Sequence, residues 1–348
     1  LMMKILKGNL HRSKLADSLL DQLVSEKNPD LLLLCEQYRD RDSGWFVDSL
    51  RTAAIWIPDV GKVSVEAYES KAGYVWIESR GTAYFSCYFT PNESIHEFRR
   101  KLNSLEDDIR ERGGRILVVE NLNAKAVEWG MPSTDMRGRL IVEMAARTEL
   151  VVLNEGSTST FRRPGYTETI PDISLASEGL AARVRGWRVI EDFTGSDHQY
   201  ITFNIGEDRN ADYLGTRTAP AAWNLHRLNE EVFQAVLTDG KPQVESVLSE
   251  DAGAEAVVAT TMELISEACR QSMPKRAPWR GRRPVYWWTP HIADLRKICI
   301  KKRRRAQRTR HRPEALSCSL EYKLAKKELR RAIARSKNRC WEALKDEV

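Results

Sequence analysis

The sequence predicts an α/β fold: a four-layer α/β/β/α sandwich of two largely buried sheets flanked by helices, followed by a mostly helical, basic C-terminal region. Three observations carry this. Strand-like and helix-like segments alternate from residue 4 to about residue 205. The most apolar run, Leu31-Leu32-Leu33-Leu34-Cys35, has the length of a buried strand. Beyond about residue 206 a polar linker gives way to helical stretches and dense positive charge.

Lys4 to Leu10 reads as a short strand stopping at Gly8-Asn9. Ser13 then caps a helix whose Leu15, Leu19, Leu20 and Leu23 recur at helical spacing, and Pro29-Asp30 breaks it. Leu31 to Cys35 is the next strand, delivering Glu36 at its end. Residues 51–57, 62–68, 72–78 and 82–89 are rich in β-branched and aromatic side chains with Gly and Pro between them, and read as a strand meander. Asn92-Glu93-Ser94 opens a helix that Gly113-Gly114 ends. Ile116–Val119 is a buried strand followed by the loop Glu120-Asn121-Leu122-Asn123-Ala124. A helix over 137–147 precedes strands at 151–153, 160–162, 173–176 and 184–189, and the run Gly195-Ser196-Asp197-His198 leads into the last strand. Neighbouring side chains alternate across a strand, so Asp197 and His198 would serve a site from different directions.

The domain organisation expected is a 1–205 domain, a 206–222 linker, a helical region over 223–273 and a basic helical region over 274–348. The net charge of +6 hides an asymmetry: residues 271–348 carry 24 Lys+Arg against 7 Asp+Glu, and the rest of the chain is acidic. Lys301, Lys302, Arg303, Arg304 and Arg305, with Arg308 and Arg310 behind them, have few acidic neighbours in sequence. They are the predicted nucleic-acid contacts, against the alternative of a solvated, salt-bridged helix. No apolar run approaches the roughly 18 residues of a membrane span, so no membrane partner is expected. The six cysteines form no CxxC pair and the N-terminus has no signal-peptide pattern, which points to an intracellular compartment.

Phosphodiester cleavage needs a divalent cation on oxygen ligands, an orienter for the attacking water and donors around the transition state. Asn9, Glu36, Tyr88, Asn123, Asp172, Asp197 and His198 are the residue types that chemistry uses, each at or near an expected strand end. Singly, each has an ordinary structural explanation. In this order, in Gly-Asn-Leu, Leu-Leu-Cys-Glu-Gln-Tyr, Ser-Cys-Tyr-Phe-Thr-Pro-Asn, Leu-Asn-Ala-Lys, Pro-Asp-Ile-Ser and Gly-Ser-Asp-His, they resemble the endonuclease/exonuclease/phosphatase family. Within it the chain looks most like the apurinic-endonuclease-like domain of non-LTR retrotransposons. Thr160-Phe161-Arg162-Arg163 and the C-terminal Tyr286-Trp287-Trp288-Thr289-Pro290 add to this, the latter resembling the linker before a reverse transcriptase.

The resemblance implies a metal-dependent DNA endonuclease that nicks target DNA for primed reverse transcription, in a polyprotein whose polymerase lies beyond the C-terminus of this chain. It implies Glu36 as ligand for magnesium or manganese. It also implies Asn9 at the metal end, Tyr88 and Asn123 at the phosphate, Asp172 as the aspartate before the penultimate strand, and Asp197 with His198 as the closing pair, the aspartate orienting the histidine side and the histidine contacting phosphate. DNA is the implied partner, element RNA a second one for the basic region, and the nucleus the implied location. The chain departs from the family at its Gly-Asp-Phe-Asn-Ala signature, which reads Glu120-Asn121-Leu122-Asn123-Ala124 here. An amide at Asn121 takes no proton from water, and general-base help is worth about 10²–10⁴-fold. A remnant that only binds nucleic acid, or a small-molecule phosphatase of the same superfamily, are the competing readings.

Overall fold

A computed structural model describes residues 2–206, 228–249, 253–273, 284–309 and 312–347. Its first sheet has the order β11-β12-β1-β2-β4-β3, built from Val184–Ile190, Tyr200–Gly206, Met2–Asn9, Leu31–Cys35, Ala53–Trp56 and Trp45–Val47. The second runs β5-β6-β7-β8-β10-β9, from Ala67–Lys71, Tyr74–Ser79, Thr82–Tyr88, Arg115–Asn121, Asp172–Ser177 and Leu150–Val152. Pairing is antiparallel except for β1 with β2 and β7 with β8.

The burial of β2 explains its unbroken leucine run. Leu31 and Leu33 point into the core between the sheets, with Ile5, Ile55, Leu117 and Ile201. Leu32 and Leu34 point the other way, onto Leu20, Leu23 and Val24 of α1 (Lys14–Lys27). A strand covered on both faces has no solvent side to mark with polar residues. The second sheet repeats the arrangement: Val75, Ile77, Leu117 and Val119 face inward, while Trp76, Phe85, Val118 and Leu175 pack against α2 (Ile95–Arg112) and α3 (Met136–Arg147). Four layers result.

Local signals behave as their chemistry requires. Ser13 accepts from the Ala16 amide to cap α1, and Ser94 with Glu97 forms a reciprocal capping box on α2. Three predicted segments differ. The strand expected at 62–68 lies at 67–71, the short β3 was not anticipated, and 160–162 makes only single bridges, Phe161 to Thr169 and to His198. The last strand begins at Tyr200, so Asp197 and His198 sit on the loop before it.

The described chain divides into two compact units, residues 1–208 with 282–348 and residues 209–281. In the second, α5 (Glu230–Ser249) and α6 (Ala254–Ser272) form a hairpin closed by the Asn229 amide on the Ser272 carbonyl. The predicted linker 206–222, and the start of the predicted basic region, 274–283, lie almost wholly outside the described residues. In the first unit, α4 is the short turn Glu178–Ala181, and α7 (Pro290–Arg308) and α8 (Ala315–Glu347) pack as a pair on α1. Trp287, Ile292, Leu295, Cys299, Tyr322 and Leu329 share one cluster with Leu15, Leu19 and Phe193. Residues 284–347 are therefore not a separate body. None of the six cysteines is in a disulfide, and no described helix is long and apolar enough to cross a membrane.

Candidate active site

The parallel pairs β1–β2 and β7–β8 end at the same edge of the sandwich, and the predicted residues collect there. Asn9 closes β1 opposite Cys35, the residue before Glu36. Tyr88 closes β7 opposite Asn121 at the end of β8, and Asp172 opens β10 opposite the same Asn121. Register places these side chains on the inward faces, in line with Ile5, Leu33, Tyr84 and Val119. The alternation also fixes Glu120: it shares the outward face with Val118 and Leu122 and cannot enter the site.

Glu36 sits at the mouth, its backbone turned to φ +48°. Burial works against its charge. Polar contacts from His11, Asn9 and Tyr88 outweigh that and hold the carboxyl below the usual glutamate value. His11 Nδ1 lies 3.8 Å from Glu36 Oε2. Asn9 Oδ1 accepts from the His11 amide at 2.8 Å, which leaves its Nδ2 as the donor toward the Glu36 carboxyl. Tyr88 is pushed up by its own burial and by the Glu36 carboxylate, so it remains a hydroxyl donor.

The deeper end is a buried chain of three groups. Lys7 Nζ contacts Asp172 Oδ1, and His198 Nδ1 lies 2.9 Å from Asp172 Oδ2. A carboxylate only accepts, so Nδ1 carries the proton and Nε2 is left as an acceptor. Burial first, then the Lys7 ammonium, push His198 down to about 3, which keeps the imidazole neutral. Phe161 packs edge-on against the ring at 5.1 Å. Asn121 Nδ2 stands 3.5 Å from His198 Nδ1, donor facing donor and so not a hydrogen bond, and Asn121 Oδ1 is buried with no partner. Asn123, at φ +50°, donates from Nδ2 to the Phe89 carbonyl at 2.9 Å, which leaves one amide hydrogen for a ligand. Asp197 points toward the rim, 3.8 Å from Arg163 Nε.

Lys7 was missed from the sequence. It is 0% exposed, and burial pushes its ammonium down to about 7 against the pull of Cys35 and Glu120. The available signal was a lysine in an apolar strand two residues before Asn9, hence on the same face. Glu120, also 0% exposed, has both carboxyl oxygens without a hydrogen bond, and burial raises it to about 8.

The basic run of α7 is divided: Lys301, Arg304, Arg305 and Arg308 are exposed, while Arg303 is buried. Arg303 is 3% exposed, donates to the Glu191 carbonyl at 3.2 Å and lies over the Phe193 ring at 6.0 Å, so it is a packing residue rather than a surface cation. Lys302 and Arg305 both reach Glu321 of α8, and Arg304 reaches Glu191. Arg308 donates back to the Arg304 carbonyl, Lys301 stays exposed, and Arg310 lies outside the described residues. Acidic partners distant in sequence are adjacent in space.

Two six-stranded sheets between helices, with polar residues gathered at one edge, form an apurinic-endonuclease-like α/β sandwich. Residues 82–202 match the family described as endonuclease–reverse transcriptase. The endonuclease domain of TRAS1, a telomere-specific non-LTR retrotransposon, is 27% identical with a TM-score of 0.53, over 60% of this chain and 100% of that domain. The 3'-5' exonuclease NExo of Neisseria meningitidis and an AP endonuclease of Archaeoglobus fulgidus are each 15% identical with a TM-score of 0.47, over 59% of this chain and all of theirs. No curated protein matches. The chain carries an apurinic-endonuclease-like endonuclease domain.

Proposed function

We propose that this domain is a divalent-metal-dependent phosphodiesterase that nicks DNA, as the endonuclease of a retroelement, and that Asn121 slows its chemical step. The observation that carries the proposal is the convergence of Asn9, Glu36, Tyr88, Asn121, Asp172 and His198, from separate strands and the last loop, on one edge of the two sheets.

The donor set suits a hard cation. Glu36 is held ionised, and Asn121 Oδ1 is a buried oxygen with no hydrogen-bond partner. Glu36 would hold magnesium or manganese, with water completing the shell. Such a cation supplies positive charge to the phosphoryl and leaving oxygens. The protein's own groups do the rest. Tyr88 and the remaining Asn123 hydrogen are donors for phosphate oxygens. Asp172 orients His198 so that Nε2 faces outward as an acceptor, and Lys7 balances the Asp172 charge where water cannot. Asn121 can orient a water but cannot take its proton.

Nicking of supercoiled plasmid in magnesium or manganese tests this on the natural chain, Asn121→Asp and Glu36→Ala. The expected order is Asn121→Asp fastest, by about 10²–10⁴-fold over the natural chain, with Glu36→Ala inactive. Absence of nicking from Asn121→Asp would overturn the nuclease proposal. A chain that binds DNA without nicking is the second reading, favoured by the amide at Asn121; it is adopted if the natural chain stays silent at high protein concentration while Asn121→Asp cuts.

A further inference from the structure

The loop that carries Asp197 and His198 is held from below by the C-terminal helices. Phe193, fully buried, meets the Tyr322 ring of α8 edge-on at 6.3 Å. Arg296 of α7 donates to the Phe193 carbonyl at 3.4 Å, and Arg303 holds the Glu191 carbonyl. Farther along α8, Lys337 donates to Ser18 of α1 at 2.8 Å, and Ser336 to the Trp287 carbonyl at 2.7 Å. Contacts at both ends set which flank of α8 faces the nuclease edge.

Helical spacing then places specific cations. Lys326 is one turn beyond Tyr322 and Arg330 one turn beyond Lys326, with Lys323 beside them on the same flank. Lys326 is half-buried, and burial lowers its ammonium while the Asp197 carboxylate raises it and Arg330 and Arg163 lower it. Arg163, stacked on Tyr166 at 4.6 Å and 3.8 Å from Asp197, supplies a cation on the sandwich side. Lys323 and Arg330 are exposed and, unlike Lys302, Arg304 and Arg305, have no ion-pair partner among the described residues. Asp197 at the rim would by itself repel a phosphate.

We propose that Lys323, Lys326 and Arg330 of α8 form a phosphate-binding rail, continuous with Arg163 at the rim of the catalytic edge, which holds the backbone of the DNA duplex being cut. The proposal rests on the nuclease reading for the identity of the substrate, and it moves the nucleic-acid footprint from the basic run of α7 to a flank of α8. Seven residues of helix span about 10 Å, which matches about three phosphates of one strand at 3.4 Å of duplex axis each. The geometry assigns the helices a share in substrate binding, with the α7 arginines fixing the rail in place.

The test is binding of a 20-base-pair fluorescent duplex to the full chain, by anisotropy in EDTA over a range of salt, so that it does not depend on catalysis. Lys323→Ala/Lys326→Ala/Arg330→Ala is compared with Arg331→Ala/Arg335→Ala/Arg339→Ala on the opposite face of α8. The rail variant is expected to lose about 10- to 100-fold in affinity at moderate salt and two to three contacts from the salt slope, at roughly 0.9 each. The control stays within about two-fold of the natural chain on the same electrostatic reasoning. Lys323→Ala/Arg330→Ala, which leaves half-buried Lys326 in place, guards against a folding defect and is expected to show a smaller loss in the same direction. Equal losses from both faces, no loss from the rail, or tighter binding to single-stranded RNA than to the duplex would each overturn the proposal. If Asn121→Asp fails to nick while the rail variant still loses duplex binding, the nuclease reading fails and the rail stands. If Asn121→Asp nicks and the rail mutations leave its KM for DNA unchanged, the rail fails and the nuclease reading stands.

Discussion

The catalytic edge and the α7–α8 pair use charge in opposite ways. At the edge, isolated polar residues in apolar strands converge: Lys7, Asp172 and His198 come from three distant segments and form one buried chain. On α7, four consecutive cations disperse, Arg303 into the core and Lys302, Arg304 and Arg305 onto Glu321 and Glu191. A dense run of charge in sequence thus marked packing as much as binding. A single lysine in a strand marked a site, because a buried ammonium is costly unless something is placed to receive it.

The largest effect expected is at the mouth of the edge. Glu36→Ala, placed in the Asn121→Asp chain, is expected to cut plasmid nicking by about 10³-fold with little change in thermal stability. Equal activity would remove Glu36 from the site. Lys7→Met follows. It leaves Asp172 buried without its ammonium, and breaking a buried pair costs about 3–5 kcal/mol, read as a lower urea midpoint. A shift below about 1 kcal/mol would mean that Lys7 and Asp172 behave as an exposed pair, and the contrast with α7 would collapse.

Glu120 sharpens the comparison through pH. Its folded value, about 8, lies above the ordinary 4.5, so the folded state keeps a proton that the unfolded state loses. Its contribution is complete below pH 4.5 and is lost as pH rises to about 8. Lys7, lowered to about 7 from 10.5, acts in the opposite sense, with stability rising between those values. Glu120→Gln removes only the first effect. It is expected to stabilise the protein by about 2–4 kcal/mol at pH 9 and hardly at all at pH 4.5; urea unfolding at the two pH values checks this, and a uniform shift would contradict it.

On the helices, Arg303→Ala is expected to cost about 2 kcal/mol through lost packing, and Arg303→Met less than about 1. The order would reverse if the Glu191 hydrogen bond mattered more than the stem. The smallest effect is Lys302→Ala/Arg305→Ala, about 0.5 kcal/mol or less, since Glu321 and both cations are partly exposed. Differential scanning calorimetry ranks the two sets.

Much of this protein was legible in its sequence. Leu31–Cys35, the Ser94–Glu97 capping box and the glycines after Arg112 state their own structure, because strand burial, helix capping and helix termination are local or periodic effects. The site's membership was legible too, as lone polar residues at the ends of apolar strands. Register was not. Which of Glu120 and Asn121 faces the site depends on the parity of β8 against β7 and β10. That parity is set by the whole inter-sheet core. Nor could the sequence show that Glu321 answers Lys302, that Phe193 seats Arg303, or that Tyr322 packs against Phe193. Those contacts join residues far apart in the chain. The sequence therefore determined the elements, their order and the chemistry available. Only tertiary packing decided which charges became structural, which became a site, and which were left facing a ligand, because Coulomb and desolvation energies depend on distance and burial rather than on neighbours along the chain.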